Sequence, residues 1–361
     1  MTDRAWVATR KGLFELRRRA GQWQIAGHAF LGDPVSMLLP PSADVPGGRM
    51  LAALNLGHFG VKLHASDDAG ASWRELPAPL YPEQPEEVTG PDWKLGLIWS
   101  LEAARGTTWC GTLPGGLFRS ADAGESWQLV DSLWQVPERA DWFGGGYDAP
   151  GIHSISPHPT RAGEMVVGVS CGGAWTSVND GASWTLTASG MLADFMPPER
   201  AADGATQDPH RIVRCAARPE VLWCQHHCGI WHSSDSGQTW QQRKTSAPLS
   251  SFGFAVAAHP QDPATAWFVP AVADQCRVPL GGALVVNRTR DGGASFETLS
   301  QGLPGQHCYD LVYRHGLAVD DDGRSLLMGS TSGGLWASDD GGQRWATVSQ
   351  TLPPIYAVRF G

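Results

Sequence analysis

Ser66-Asp67-Asp68-Ala69-Gly70-Ala71-Ser72-Trp73 fits the pattern S/T-x-D-x-G-x-x-W, and the pattern returns five more times in this 361-residue chain. The other copies run from Ser120 to Trp127, Ser177 to Trp184, Ser233 to Trp240, Thr289 to Phe296 and Ser338 to Trp345. Asn179 replaces the Asp in the third copy and Phe296 replaces the Trp in the fifth. Successive aromatic anchors lie 49 to 57 residues apart. Repetition at that period marks one supersecondary unit stacked many times, as in propeller blades. Within each copy the Asp can accept hydrogen bonds from nearby backbone N–H groups, and the Gly supplies a positive φ where a side chain would clash. The Trp opens the next strand and plugs the space between neighbouring sheets. Runs ahead of the box, such as Glu164-Met165-Val166-Val167-Gly168-Val169 and Gly173-Ala174-Trp175-Thr176, read as strands. Each repeat is therefore expected to be a four-stranded sheet, with the box joining its third and fourth strands.

This octapeptide resembles the Asp-box, or BNR repeat, of sialidases, xyloglucanases, sortilin-type receptors and a photosystem-assembly factor, and the resemblance covers nearly the whole chain. It implies a β-propeller, with the box on the outer rim away from any active site. It does not imply sialidase activity. The Arg-Ile-Pro motif that sialidases carry near the start of a six-bladed ring is missing, and Arg211-Ile212-Val213 is a fragment of it in the wrong blade.

The first box does not belong to the first blade. Ala5-Trp6-Val7-Ala8-Thr9 and Gly12-Leu13-Phe14-Glu15-Leu16 read as middle strands of an earlier blade, and Gly21-Gln22-Trp23 as a worn remnant of its box, 50 residues before Trp73. That blade lacks an innermost strand, while Ile355 to Phe360 is a strand without a blade. Letting the last strand complete the first blade removes exposed sheet edges. The expectation is an all-β chain, one domain over residues 1–361, forming a seven-bladed propeller.

Forty-four Gly and 26 Pro suit such a turn-rich chain, and the boxes account for a good share of the 17 Trp. A net charge of −9 without any basic run argues against nucleic acid as a partner, and no stretch reaches membrane-spanning length. The first residues enter a strand without a secretory apolar run, and seven Cys at irregular spacing suit reduced thiols. A cytoplasmic location is expected.

Blade topology sorts the loops. The boxes share one face with the turns between strands one and two; the turns between strands two and three share the other with the blade-to-blade connections. On that second face three connections are long: Pro77 to Leu97, Asp131 to Ile152 and Gly190 to Pro209. Long ordered loops usually do more than connect. The inner strands carry a sharper pattern. His153, His210 and His315 open blades four, five and seven, each 25 or 26 residues before its box Asp or Asn. Matching positions in the other blades are Val35, Trp99, Phe252 and Tyr356. Inner strands converge on the propeller axis, so three imidazoles are expected to approach one another there. His227 and His58, in strand two-to-three turns, can join them. Such a set can bind a divalent transition metal, with His153, His210, His315 and His227 as ligands, or can do acid–base work.

Asp148, Asp208 and Asp310 each precede one of the hub histidines by two to five residues. They can serve as paired carboxylates in glycoside hydrolysis or as orienters of the imidazoles. Arg211, Arg277 and Arg314 offer cations to an anionic substrate, and Tyr309 offers a phenol. The expected function is an enzyme that hydrolyses or eliminates a small polar substrate, carbohydrate-like or anionic, in a hub pocket. His153, His210, Asp148, Asp208, Arg211, Tyr309 and Asp310 would carry the catalysis, and His227, Arg277, Arg314, His58 and Trp99 would bind the substrate. Two alternatives stay open: a metal-dependent enzyme using the hub histidines, and a non-catalytic propeller that presents this face to a protein partner.

Overall fold

A computed structural model describes residues 2–245 and 250–361. They form seven four-stranded antiparallel sheets arranged as a β-propeller, with almost no helix. Within the blades the middle strands are apolar end to end rather than alternating: Met50–Asn55, Met165–Ser170 and Ala266–Pro270 are buried along almost their whole length. A blade packed between two neighbours has no solvent face, so both pleat directions select apolar residues.

The C-terminal strand Ile355–Phe360 pairs antiparallel with Arg4–Thr9, bringing Val358 opposite Val7. It supplies the innermost strand that the first blade lacked, and the sheet order there is last strand, then the first three strands of the chain. Val7, Val358 and Leu327 fall in one buried apolar cluster, so the closure joins blade one to blade seven through core as well as hydrogen bonds.

Each box is a tight turn tied by its own side chains. Ser66 Oγ donates to Asp68 Oδ1 at 2.8 Å, Ser72 N donates to the same oxygen at 2.8 Å, and Gly70 N donates to Ser66 Oγ at 2.7 Å. Ser72 Oγ closes the ring on Asp68 Oδ2 at 2.6 Å. The turn needs two successive residues at positive φ, Ala69 at 55° and Gly70 at 88°, which explains the near-invariant Gly. The same bonds recur around Asp122, Asn179, Asp235 and Asp291. The aromatic anchor then reaches the preceding blade: Trp240 donates from its indole to the Thr187 carbonyl at 2.8 Å.

Candidate functional site

The innermost strands share an irregularity that decides what faces the hub. In blade two Val35 pairs with Leu54 and Met37 with Ala53, leaving Ser36 as an extra residue. The same two-against-one pairing leaves Trp99, His153, His210 and Phe254 unpaired in blades three to six, and Tyr356 in the closing strand. In blade seven His315 holds the corresponding place, one residue before Gly316, whose carbonyl accepts from Gly329 N. A bulge bends its strand and re-aims the extra side chain. Each blade thus delivers one bulge residue to the axis. The sequence spacing had put Val35 and Phe252 at this position; the bulge register puts Ser36 and Phe254 there instead.

On the face carrying the long connections the hub opens into a cavity of about 510 Å³. Ser36, Trp99, Phe254, His315 and Tyr356 contribute bulge residues to its wall, and Tyr147, Tyr313, Arg314 and Arg277 come from connections above. Among the described residues that line it, none is an aspartate or a glutamate. Arg314 is 6% exposed, yet makes no hydrogen bond or ion pair with any described residue, and its Nε is buried without a partner. Aromatic faces hold it instead: the guanidinium carbon lies 4.6 Å from the Trp99 ring centroid and 5.3 Å from that of Phe254. Burial pushes its pKa down. Arg277 also lines the cavity, over Phe254 at 5.4 Å, but is ion-paired to Asp274.

Beside this cavity lies a second constellation. Asp208 Oδ2 is 3.2 Å from His210 Nε2 and 3.4 Å from His227 Nδ1. The other carboxylate oxygen accepts from Ser170 Oγ and Cys171 N, both at 3.2 Å. His210 Nδ1 donates to the Gly253 carbonyl at 2.6 Å, and its ring stacks on Phe254 at 4.3 Å. Phe254 therefore separates His210 from the Arg314 cavity. Burial acts upward on the Asp208 carboxyl, but the polar and charged groups packed around it, Arg314 among them, overcome it and hold the group well below the usual carboxylate range. Burial pushes His210 down. The connection before blade four covers both constellations: a Cβ on Gly145 would come within 3.3 Å of Asp208 Oδ2, and one on Gly146 within 3.8 Å of Arg314 Nη2.

Among the described residues, Asp208, His210 and His227 are the one group of three or more His, Cys, Asp or Glu donors lying within 4.8 Å of one another. The expected meeting of His153, His210 and His315 does not occur. His153 is wholly buried, with Nδ1 bonded to Ser154 Oγ at 2.9 Å and its ring against Trp99. His315 Nε2 lies 3.4 Å from Arg211 Nη1. Burial holds both imidazoles well below their ordinary pKa. Arg211 is not in the upper cavity. It spans the channel below, donating also to the His153 carbonyl at 3.1 Å, and lines a smaller cavity of about 170 Å³ with Arg214 and Arg359. Its burial lowers its pKa to about 9.

The remaining expected residues are scattered. Asp148 is exposed, Tyr309 is 67% exposed, and neither lines the cavity. Asp310 accepts from Ser330 Oγ at 2.7 Å, a bond that pins a turn. His58 is exposed and packs on Phe59, away from the pocket wall. The pairing of Asp148, Asp208 and Asp310 as hydrolytic carboxylates is therefore not what the fold builds. Sequence reasoning missed Phe254, hidden by the bulge register, and His226, whose Nε2 accepts from Asp208 N at 3.1 Å and fixes the carboxylate's backbone. The adjacent pair His226-His227 was the available signal, since neighbouring strand-end residues face opposite ways.

No family model and no curated protein matches the chain. Solved structures do. A GH74 xyloglucanase from Xanthomonas campestris aligns with a TM-score of 0.65 at 16% identity, over 97% of this chain and 53% of that one. An ancestral GH74 enzyme aligns at 0.61 and 16% identity, over 88% of this chain and 39% of that one. YCF48 bound to D1 peptide aligns at 0.53 and 15% identity, over 94% and 88%. What these proteins share with this chain is the propeller fold. The chain spans about two fifths to about half of the GH74 chains. No helix of the described residues is long and apolar enough to cross a membrane.

Proposed function

We propose that this propeller is an enzyme that takes a small anionic, carbohydrate-like molecule into the hub cavity and acts on it by hydrolysis or elimination. Arg314 carries the reading. A guanidinium at 6% exposure, feeling the charge of Asp208 but hydrogen-bonded or ion-paired to no described carboxylate, in the wall of a cavity whose described lining holds no acid, is a site prepared for a ligand's negative group. Trp99, Tyr147 and Phe254 offer aromatic walls for the apolar face of a sugar ring. His315, the imidazole in the cavity wall, supplies the acid–base chemistry. Two-carboxylate glycoside hydrolysis finds no pair of acids in the cavity wall. The likeness to GH74 enzymes supports the carbohydrate side of the reading through fold alone. Seven separate thiols, five of them buried, suit a reducing compartment, and we place the protein in the cytoplasm.

The test is calorimetric titration with small sugar acids and their neutral counterparts. Acids should bind, neutral counterparts should not, and Arg314→Met should abolish the difference. Equal affinity for acid and neutral forms would refute the reading.

A second reading rests on the exposed aromatics of the same face: Phe59 at 70%, Tyr309 at 67% and Tyr147 at 52% exposure. Surfaces of that kind hold peptides, and one fold relative is a peptide-bound propeller. Replacing Phe59 and Tyr309 by Ser separates the two readings: it weakens peptide capture and spares binding of small acids.

A further inference from the structure

We propose that Asp208, His210 and His227 form a binding site for a divalent first-row transition-metal ion. The inference begins with the tautomer of His210. Its Nδ1 lies 2.6 Å from the carbonyl oxygen of Gly253, an atom that only accepts, so Nδ1 carries the proton. A neutral imidazole has one N–H, and Nε2 therefore turns a lone pair toward Asp208 Oδ2 at 3.2 Å. Two acceptors face each other where the side chains are only 3% and 4% exposed, so water cannot screen the repulsion. A cation between them removes it.

A second proton on His210 would satisfy that pair alone. A third donor converging on the same oxygen completes a ligand set for a metal. His227 Nδ1 converges on the same Oδ2 at 3.4 Å, although it comes from a different turn. Asp208 Oδ2 lies 3.2 and 3.4 Å from the two nitrogens, and all three donors lie within 4.8 Å of one another, close enough to converge on an ion whose ligand distances are roughly 2.0–2.2 Å. Two imidazoles and a carboxylate are the donor set of zinc and of non-haem iron(II) sites.

The supporting bonds have the form that metal ligands require. His210 gives its other N–H to a backbone carbonyl, fixing tautomer and ring plane. Ser170 Oγ and Cys171 N hold Oδ1, leaving Oδ2 for the ion. His227, at 22% side-chain exposure, leaves a route of entry from solvent. This site stands apart from the Arg314 cavity, and its test involves no organic ligand.

The experiment titrates chelator-treated full-length protein with cobalt(II), following visible absorption and melting temperature. We expect about one ion per chain, visible ligand-field bands, and a melting rise of roughly 3–6 °C at a hundredfold excess over Kd. His227→Ala and Asp208→Asn should lose the bands and the shift, while the exposed His28→Ala keeps both. Ser170→Ala should weaken binding about 10- to 100-fold by freeing the carboxylate. Asp208 is buried and its replacement can unfold the chain; the only partly buried His227 keeps the test decisive, with circular dichroism confirming the fold. Absence of uptake overturns the proposal. Uptake that survives both ligand variants places the ion elsewhere and overturns it equally. Failure here leaves the sugar-acid titration untouched, and the reverse holds.

Discussion

The guanidinium of Arg314 lies 4.6 Å from the ring centroid of Trp99, although one precedes the seventh blade and the other bulges from the third. Phe254 of the sixth blade holds the same cation from another direction at 5.3 Å. Aromatic quadrupoles attract a cation, but they do not replace the water that burial removes. Arg314 should therefore be a site where stability is given up for binding. Arg314→Met keeps the length and apolar contacts and removes the charge. We expect it to raise unfolding free energy by about 1–3 kcal/mol in urea titrations while abolishing affinity for small acids. Loss of both stability and binding would mean that the arginine is a structural strut.

What the sequence made legible follows from local chemistry. Six boxes, the remnant at Trp23 and the orphan strand at Val358 each depend on residues adjacent in the chain, and they define the ring. The hub was harder. A bulge shifts side chains by one position without leaving a composition signal, so Val35 and Phe252 were assigned places that belong to Ser36 and Phe254. The three inner-strand histidines were equivalent by repeat, yet equivalence around an axis does not bring atoms together when the hub is wide enough for Arg211 to pass between them. Asp208, His210 and His227 were all candidate residues, but their convergence depends on the turn after the second strand of blade five folding back toward the first. Spacing along a chain does not encode that.

The seal of the ring should be the place where the fold is most easily opened. Val358 is 1% exposed, opposite Val7, within the cluster that joins the first and last blades. Val358→Asp puts a carboxylate there without a partner, and the expected loss is about 4 kcal/mol or more. Limited proteolysis should then cut within the released terminal strand first. An unchanged melting temperature would show that the terminal strand is dispensable.

Gly145 should act on the site rather than on the fold. A Cβ there would lie 2.6 Å from Cys171 Sγ and 3.0 Å from Ser170 Oγ, so Gly145→Ala has to lift the connection off Asp208. The segment is exposed, and its displacement should cost less than about 1 kcal/mol of stability. Affinity for sugar acids should nevertheless fall, by about tenfold for each 1.4 kcal/mol of lost contact, because Gly146 covers Arg314. Unaltered affinity in a stable variant would remove this connection from the site.

The boxes predict an acid transition. Hydrogen bonds from the Ser72 hydroxyl and backbone N–H lower the Asp68 pKa to about 2, and those from Ser295 do the same for Asp291. Unfolded aspartate titrates near about 3.9. A carboxyl whose folded pKa is depressed contributes stability that is complete above the unfolded value and is lost as pH falls through the folded one. These two boxes should therefore weaken the protein between about pH 4 and about pH 2. The third box shows how to separate charge from geometry. Asn179 keeps the same turn, accepting from Ser183 N and donating to Ser183 Oγ, both at 2.9 Å, with nothing to titrate. The double variant Asp68→Asn, Asp291→Asn should melt near the wild-type temperature at pH 7 and lose less of it on acidification to pH 2. Melting curves across that range provide the measurement. A slope as steep as that of the parent would assign the acid transition to other carboxylates and leave the boxes with a purely geometric role.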